Sequence, residues 1–481
     1  MARDGARDGH LGEHIETDLL VIGAGSGGLS AAAGAAQLGV GVVLLEAGRM
    51  GGDCLNFGCV PSKALIAAAR HAHAMRTGAP FGVAPAEPRI DYAAAMEHVR
   101  RTIAGIAPHD SQERFEGLGV RVIREHGRFI AHDTVDAGPF RITARRIVVA
   151  TGSAPLVPPI PGLRDVPYLT NESLFDLRER PEHLIVIGGG PVGLEMAQAH
   201  VRLGARVTVL EGVEALGQDD PELAAVVLER VRAEGVEIVE GAMAERVTGG
   251  AGALSVHTRD GRRHDGSHLL LAVGRAPNLA DMGLETAGVA FDRTGIEVNA
   301  GLRSTNRRVY AIGDAAQGLN FTHVASYHAG VVVRRALFGL PARATNRHIP
   351  WATYTDPELA QVGLTERAAR VRHGDRLEVV RARFADNDRA RTEAETDGLI
   401  KVMVVRGRPV GASIVGPQAG ELIQLWALAI ASRLKMSAIA GMVAPYPTLG
   451  EISKRAAGEY FSPRLFENDA IRRYVRFVQR L

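Results

Sequence analysis

The chain has 481 residues, 46% of them hydrophobic and 23% charged, with a formal net charge of +2 at pH 7. That length exceeds what one core can use and, at about 150 residues per domain, implies roughly three domains. The near-neutral balance gives no reason to expect nucleic acid as a partner, and no run reaches the ~18 apolar residues that a membrane span needs.

Residues 1–16 alternate Arg, Asp, Glu and His without an apolar stretch, so they read as a disordered lead-in rather than a secretory leader. From Thr17 to Glu46 the chain runs TDLLVIGAGSGGLSAAAGAAQLGVGVVLLE: an apolar strand, a glycine-rich turn, an alanine-rich helix and a second apolar strand closed by glutamate. Gly23, Gly25 and Gly28 form G-x-G-x-x-G at the strand-to-helix turn. Glycine there permits the tight turn, the approach of backbone to a pyrophosphate and close packing of helix on strand, while the helix N-terminus offers unpaired N–H groups. Glu46 is placed to accept hydrogen bonds from a ribose.

The two cysteines of the whole chain, Cys54 and Cys59, follow at once in GGDCLNFGCVPSK. In a protein expected to be cytoplasmic, a redox-active pair is favoured over a structural staple. On a straight helix, positions five apart diverge and rise about 7.5 Å, beyond disulfide reach, so bridging needs a distorted turn that Gly58 can supply. A zinc site is the competitor, but no second pair of thiolates or clustered histidines accompanies them.

Ile142–Thr151 reads as a buried strand running into glycine. Glu182–Glu211 then repeats the first nucleotide unit, with Gly188, Gly190 and Gly193 in the turn and the same 23-residue offset from first glycine to closing glutamate. Glu211 suits a free 2′-hydroxyl and repels a 2′-phosphate, and the following Gly212, Val213 and Glu214 provide no arginine, so NADH is expected over NADPH. Two dinucleotide sites in one chain suggest a bound electron carrier at one and a reductant at the other. His268–Gly274 and Val309–Asp314 are further buried strands. From about His348 the texture becomes α+β, with strands at Ile400–Val405 and Ala412–Val415 and an apolar helix at Glu421–Leu434. Ile471–Leu481 places Ile471, Tyr474, Val475, Val478 and Leu481 on one helical face and arginines on the other. That tail is expected to dock on the body, with contact to an acidic membrane surface as the alternative.

The cysteine loop resembles the redox-disulfide motif of the class I pyridine nucleotide-disulfide oxidoreductases. The resemblance runs from about Thr17 to about Phe461 and includes Ala150-Thr151-Gly152, Gly274-Arg275 with Pro277-Asn278, Tyr310–Asp314 and Pro357-Glu358 with Val362–Leu364. It implies an α/β fold of two Rossmann-like domains, one for FAD (17–158 and 279–345) and one for NAD (159–278). A C-terminal α+β dimerisation domain (346–461) and a basic amphipathic tail (462–481) would follow. It further implies that Cys59 contacts the flavin and forms its charge-transfer state, that Cys54 is the interchange thiol, and that Lys63 lies beside flavin N5, paired with Glu195. Asp314 would hold the flavin ribitol, with Gly313 before it also at the cofactor, and a homodimer would complete each active site from the partner subunit.

The chain departs from the disulfide reductases where they carry a histidine before Pro-Thr. Here the motif reads Tyr446-Pro447-Thr448-Leu449-Gly450-Glu451. A phenol, with an unperturbed pKa near 10, replaces the imidazole that shuttles a thiol proton near neutrality. Mercuric reductases also lack that histidine, but the vicinal cysteine pair with which they end is missing here. Pro191 stands where some relatives place an aromatic gate over the nicotinamide. The expectation is an FAD-dependent NADH oxidoreductase passing electrons through Cys54 and Cys59 to a soft metal ion or a small disulfide. Tyr446 and Glu451 are its candidate acid/base groups, and dihydrolipoamide dehydrogenase or a slow redox-sensing protein are the alternatives.

Overall fold

The computed structural model describes residues 12–481. In its first sheet the strands Val120–Ile123, Val42–Leu45, Glu13–Ile22 and Phe140–Val149 lie side by side and parallel, and Val309–Ala311 adds beside the last of them. Residues 309–311 thus return to a sheet begun almost 300 positions earlier. Leu19 and Val21 pack against the helices Ser26–Ala36 and Thr322–Ala336 on one face, while Leu20 and Ile22 meet Ile142, Leu284 and their neighbours on the other. A strand covered on both faces reads as an unbroken apolar run rather than an alternation.

The second sheet repeats the parallel plan, in the order Glu237–Val239, Arg206–Leu210, His183–Ile187 and His268–Leu271. The helices Pro191–Arg202 and Pro221–Ala233 cover one face, and an antiparallel trio spanning residues 244–266 covers the other. Between the two sheets the chain crosses and returns through a two-stranded ribbon, Ser153–Pro155 against Arg275–Pro277. The third unit is a five-stranded antiparallel sheet, ordered 350–353, 358–363, 408–416, 399–405 and 377–383. The helices Ala419–Ala431 and Glu451–Phe466 pack on it around the fully buried Trp426.

Two sequence expectations at the ends need correction. Of the 1–16 lead-in, residues 1–11 lie outside the described residues, but Glu13–Glu16 are strand and pair with Phe140–Thr143. The long partner strand offers a full backbone ladder, and one inward residue, the buried Ile15, suffices among outward charges. The tail does form a helix, Asp469–Val478, yet none of its residues is buried. The preceding helix runs on to Phe466, residues 463–470 are all exposed, and the apolar face is therefore carried away from the body rather than onto it.

Candidate active site

Both nucleotide helices start without a side-chain cap, Ser26–Ala36 at Gly25 and Pro191–Arg202 at Gly190, so their first N–H groups remain available. The third glycine of each loop is sterically compulsory: a Cβ on Gly28 would sit 1.8 Å from the Gly23 carbonyl oxygen, and one on Gly193 would sit 2.0 Å from that of Gly188. The middle glycines face space instead. A Cβ on Gly190 would meet no protein atom within 4 Å, and one on Gly25 would reach only Gly52 Cα at 4.0 Å. The closing glutamates brace their loops, Glu46 accepting from the N–H groups of Ala24 (2.6 Å) and Gly48 (2.6 Å) and Glu211 from those of Gly189 (2.7 Å) and Val213 (2.9 Å).

Both loops open onto one cleft of about 1650 Å³, which also takes in Ala150, Gly152, Gly274 and Gly313. Asp314 lies in its wall, accepts from Ser153 Oγ at 2.6 Å and is pushed upward in pKa by burial. Ser153 is in turn held by Arg275 Nε at 2.7 Å. Beside them Thr151 Oγ1 is buried without a partner. Uncapped helix N-termini, space over the middle glycines and this orphaned hydroxyl fit a bound dinucleotide, which would supply the missing hydrogen-bond partners.

The cysteine loop abuts the first nucleotide loop, with Gly52 packed against Gly25. Cys54 lies in the short helix Gly52–Asn56 and Cys59 opens the next, Cys59–Arg76, with the break at Phe57 and Gly58. Gly58 is pressed against Asp53, whose carboxylate a Cβ there would approach to 2.8 Å. Asp53 is itself fixed by Asn171 Nδ2 (2.9 Å) and Arg275 (3.0 Å). Both cysteines are free thiols lining the cleft, and they differ electrostatically. The hydrogen bond from Cys54, helped by the Thr322 hydroxyl 3.4 Å away and by the Lys63 ammonium, lowers the Cys59 pKa to about 6. Cys54, as the donor of that pair, is pushed upward. Cys59 is therefore the thiolate near neutrality, and Cys54 the protonated partner.

Four residues along the cysteine helix, Lys63 donates to Glu195 Oε2 at 2.8 Å. Glu195 starts a buried polar stripe on the Pro191–Arg202 helix. Its other oxygen accepts from Tyr354 N (2.9 Å), Gln198 bonds both the N–H and the carbonyl of Asp356 (2.8 Å each), and Arg202 reaches the Asp356 carboxylate at 2.9 Å. Positions 195, 198 and 202 share one helical face, so a single stripe grips the loop 354–356 of the third unit. The Lys63 ammonium also lies 4.3 Å over the Tyr354 ring. Sequence reasoning missed Gln198, Arg202, Tyr354, Thr322 and Asp53. Polar residues at i, i+3 and i+7 on that helix were the available signal for the first two.

The family model of the pyridine nucleotide-disulphide oxidoreductases matches residues 17–329, and that of the family's dimerisation domain matches residues 349–457. The chain belongs to this family. It is an oxidoreductase that binds FAD and NAD(P)H and transfers electrons from NAD(P)H by way of the flavin to a disulfide. It is 36% identical to a mercuric reductase of Acidithiobacillus ferrooxidans, over 94% of this chain and 84% of that one. It is 34% identical to a dihydrolipoyl dehydrogenase of Geobacillus stearothermophilus, over 92% and 96%. Among solved structures, LpdA of Mycobacterium tuberculosis superposes with a TM-score of 0.84 at 27% identity, covering 92% of this chain and 99% of that one. The Cu(II) complex of the HOCl-induced flavoprotein disulfide reductase RclA of Escherichia coli gives 0.82 at 28%, covering 91% and 99%.

In this oxidoreductase Tyr446 and Glu451 do not line the cleft of their own chain. Both belong to the dimerisation unit, where Tyr446 is exposed and donates to Asp388 Oδ2 at 3.1 Å, and Glu451 starts its helix while accepting from Thr448 N at 3.3 Å. The hydrogen bond to Asp388 raises the Tyr446 pKa further above that of a free phenol. Among the described residues, no helix is long and apolar enough to cross a membrane.

Proposed function

We propose that this enzyme oxidises NADH and delivers the electrons through Cys54 and Cys59 to a soft metal ion, with a small disulfide as the second acceptor class. When bound, FAD would supply a two-electron carrier between the nicotinamide and the disulfide. The chain's own groups frame that exchange. Cys59, with its lowered pKa, would face the flavin as thiolate, and Cys54 would meet the acceptor. Lys63 and Glu195 would hold a fixed charge pair beside the ring, Asp314 would bind the ribitol, Glu46 the flavin ribose and Glu211 the nicotinamide coenzyme's adenosine ribose. Among the described residues, the lysine and arginine side chains lining the cleft are Lys63 and Arg275, neither of which follows Glu211, and this supports NADH over NADPH.

The observation that carries the acceptor class is the phenol in place of histidine, with its pKa raised rather than lowered. Exchange with a dithiol needs a nearby base at neutral pH, whereas a thiolate pair chelates a soft ion unaided. The balance is simple: the dithiol plus Hg(II) gives the disulfide, Hg(0) and two protons, or with two Cu(II) the disulfide, two Cu(I) and two protons. Tyr446 and Glu451 would face the partner subunit's cysteine pair in a homodimer, shaping acceptor entry. A reactive thiol pair also suits a cytoplasmic setting. The similarity to a dihydrolipoyl dehydrogenase favours the second reading, oxidation of dihydrolipoamide. The test is a steady-state comparison on purified holoenzyme. NADH oxidation driven by Hg(II) or Cu(II) should exceed NAD⁺ reduction driven by dihydrolipoamide, and fast dihydrolipoamide turnover would overturn the metal reading.

A further inference from the structure

The terminal helix, Asp469–Val478, is the one helix of more than eight residues among the described residues that buries nothing. It begins on its own cap, Asn468 Oδ1 accepting from the N–H groups of Ala470 (3.0 Å) and Ile471 (3.4 Å), so its start does not depend on contact with the body. At about 100° per residue, Ile471, Tyr474, Val475, Phe477 and Val478 occupy an arc of about 160°. Arg472, Arg473 and Arg476 fill the opposite arc of about 100°, with Arg480 and Leu481 just beyond the helix. The apolar side is open: Tyr474 is 68% exposed, Phe477 62% and Leu481 92%.

We propose that this helix docks the enzyme on an anionic phospholipid bilayer, lying in the interface plane. Three observations select that occupant. The polar face has a single sign, four arginines against Asp469 alone between residues 469 and 481, whereas a face that merely meets water or a protein neighbour mixes signs. The match to the dimerisation domain ends at residue 457, so the tail lies outside the module that joins two copies. The helix is ~15 Å long by its residue count, enough to lie on a bilayer and too short to cross one. Arginines above and rings below give both attractions that an interfacial helix uses, headgroup charge and apolar insertion.

The test is co-sedimentation of the flavin-loaded full chain with vesicles of phosphatidylcholine alone or with about a third phosphatidylglycerol. The bound fraction should rise at least about tenfold with phosphatidylglycerol and fall back in high salt. A Val475→Glu, Phe477→Glu double variant should lose binding while keeping its flavin, its dimer mass by light scattering and its NADH-driven turnover. An Arg473→Gln, Arg476→Gln variant should lose about tenfold or more of the anionic preference. Equal sedimentation with both vesicle types, or none, overturns the proposal. So does a change of oligomeric mass in the double-glutamate variant, which would show that the face seats a second copy of the chain.

Discussion

In the first glycine loop Glu46 accepts from two backbone N–H groups, and in the second Glu211 does the same with nearly equal distances. The surroundings are not alike. Around the first loop Gly52 of the cysteine segment touches Gly25, and Gly27 is so close to the Thr322–Ala336 helix that a Cβ would lie 3.1 Å from Ala325 Cβ. Around the second, Pro191 and Val192 are exposed, and Val213 is 71% exposed. One glycine loop is enclosed on several sides by other parts of the chain, and its copy is left open at the helix start. Enclosure suits a resident cofactor and openness suits a coenzyme that enters and leaves each cycle.

That contrast breaks if the two loops respond alike to the same change. The largest expected effect is from Gly25→Val, which should yield colourless protein unable to retain FAD, read from its visible spectrum after gel filtration. Gly190→Val fills space that no protein atom uses, so it should keep flavin and melting temperature but raise the KM for NADH by about a hundredfold, near 2.7 kcal/mol of binding. Flavin loss in the second variant, or retention in the first, would show that the assignments are reversed. A smaller effect is expected from Glu211→Arg: relief of repulsion and a new charge pair should move the NADPH-to-NADH ratio of kcat/KM by about tenfold to hundredfold toward NADPH.

Smaller again is the electrostatic support from Lys63. Alkylation of the reduced enzyme should accelerate as pH rises through about 6, where Cys59 loses its proton. Lys63→Met removes a positive charge that favours the thiolate, so the midpoint must move to higher pH. An unmoved or lowered midpoint would remove Lys63 from the account. The least change is expected from Tyr446→His, which should increase dihydrolipoamide turnover by about tenfold if the phenol is what limits it.

The sequence made the glycine loops readable because their constraints are local: Gly28 and Gly193 meet carbonyls only five residues away. The cysteine loop was readable for the same reason, since Gly58 lies in the break between the short helix Gly52–Asn56 and the long helix Cys59–Arg76. The grip of Glu195, Gln198 and Arg202 on the 354–356 loop joins positions more than 150 apart, and nothing local marks it beyond polar spacing. Glu13–Glu16 misled because their charges face outward while a distant strand supplies the hydrogen bonds. The tail misled in the opposite sense. Its amphipathic pattern announces a helix and a buried face, but says nothing about which surface does the burying.

Anaerobic titration of the oxidised holoenzyme with NADH tests the central claim most directly, with free thiols counted at each step. If Cys54 and Cys59 accept electrons in series with the flavin, the wild type should consume two equivalents of NADH per flavin, with two new thiols appearing during the first. Cys59→Ser should consume one equivalent and release none. A wild type that stops at one equivalent with its thiol count unchanged would contradict the account.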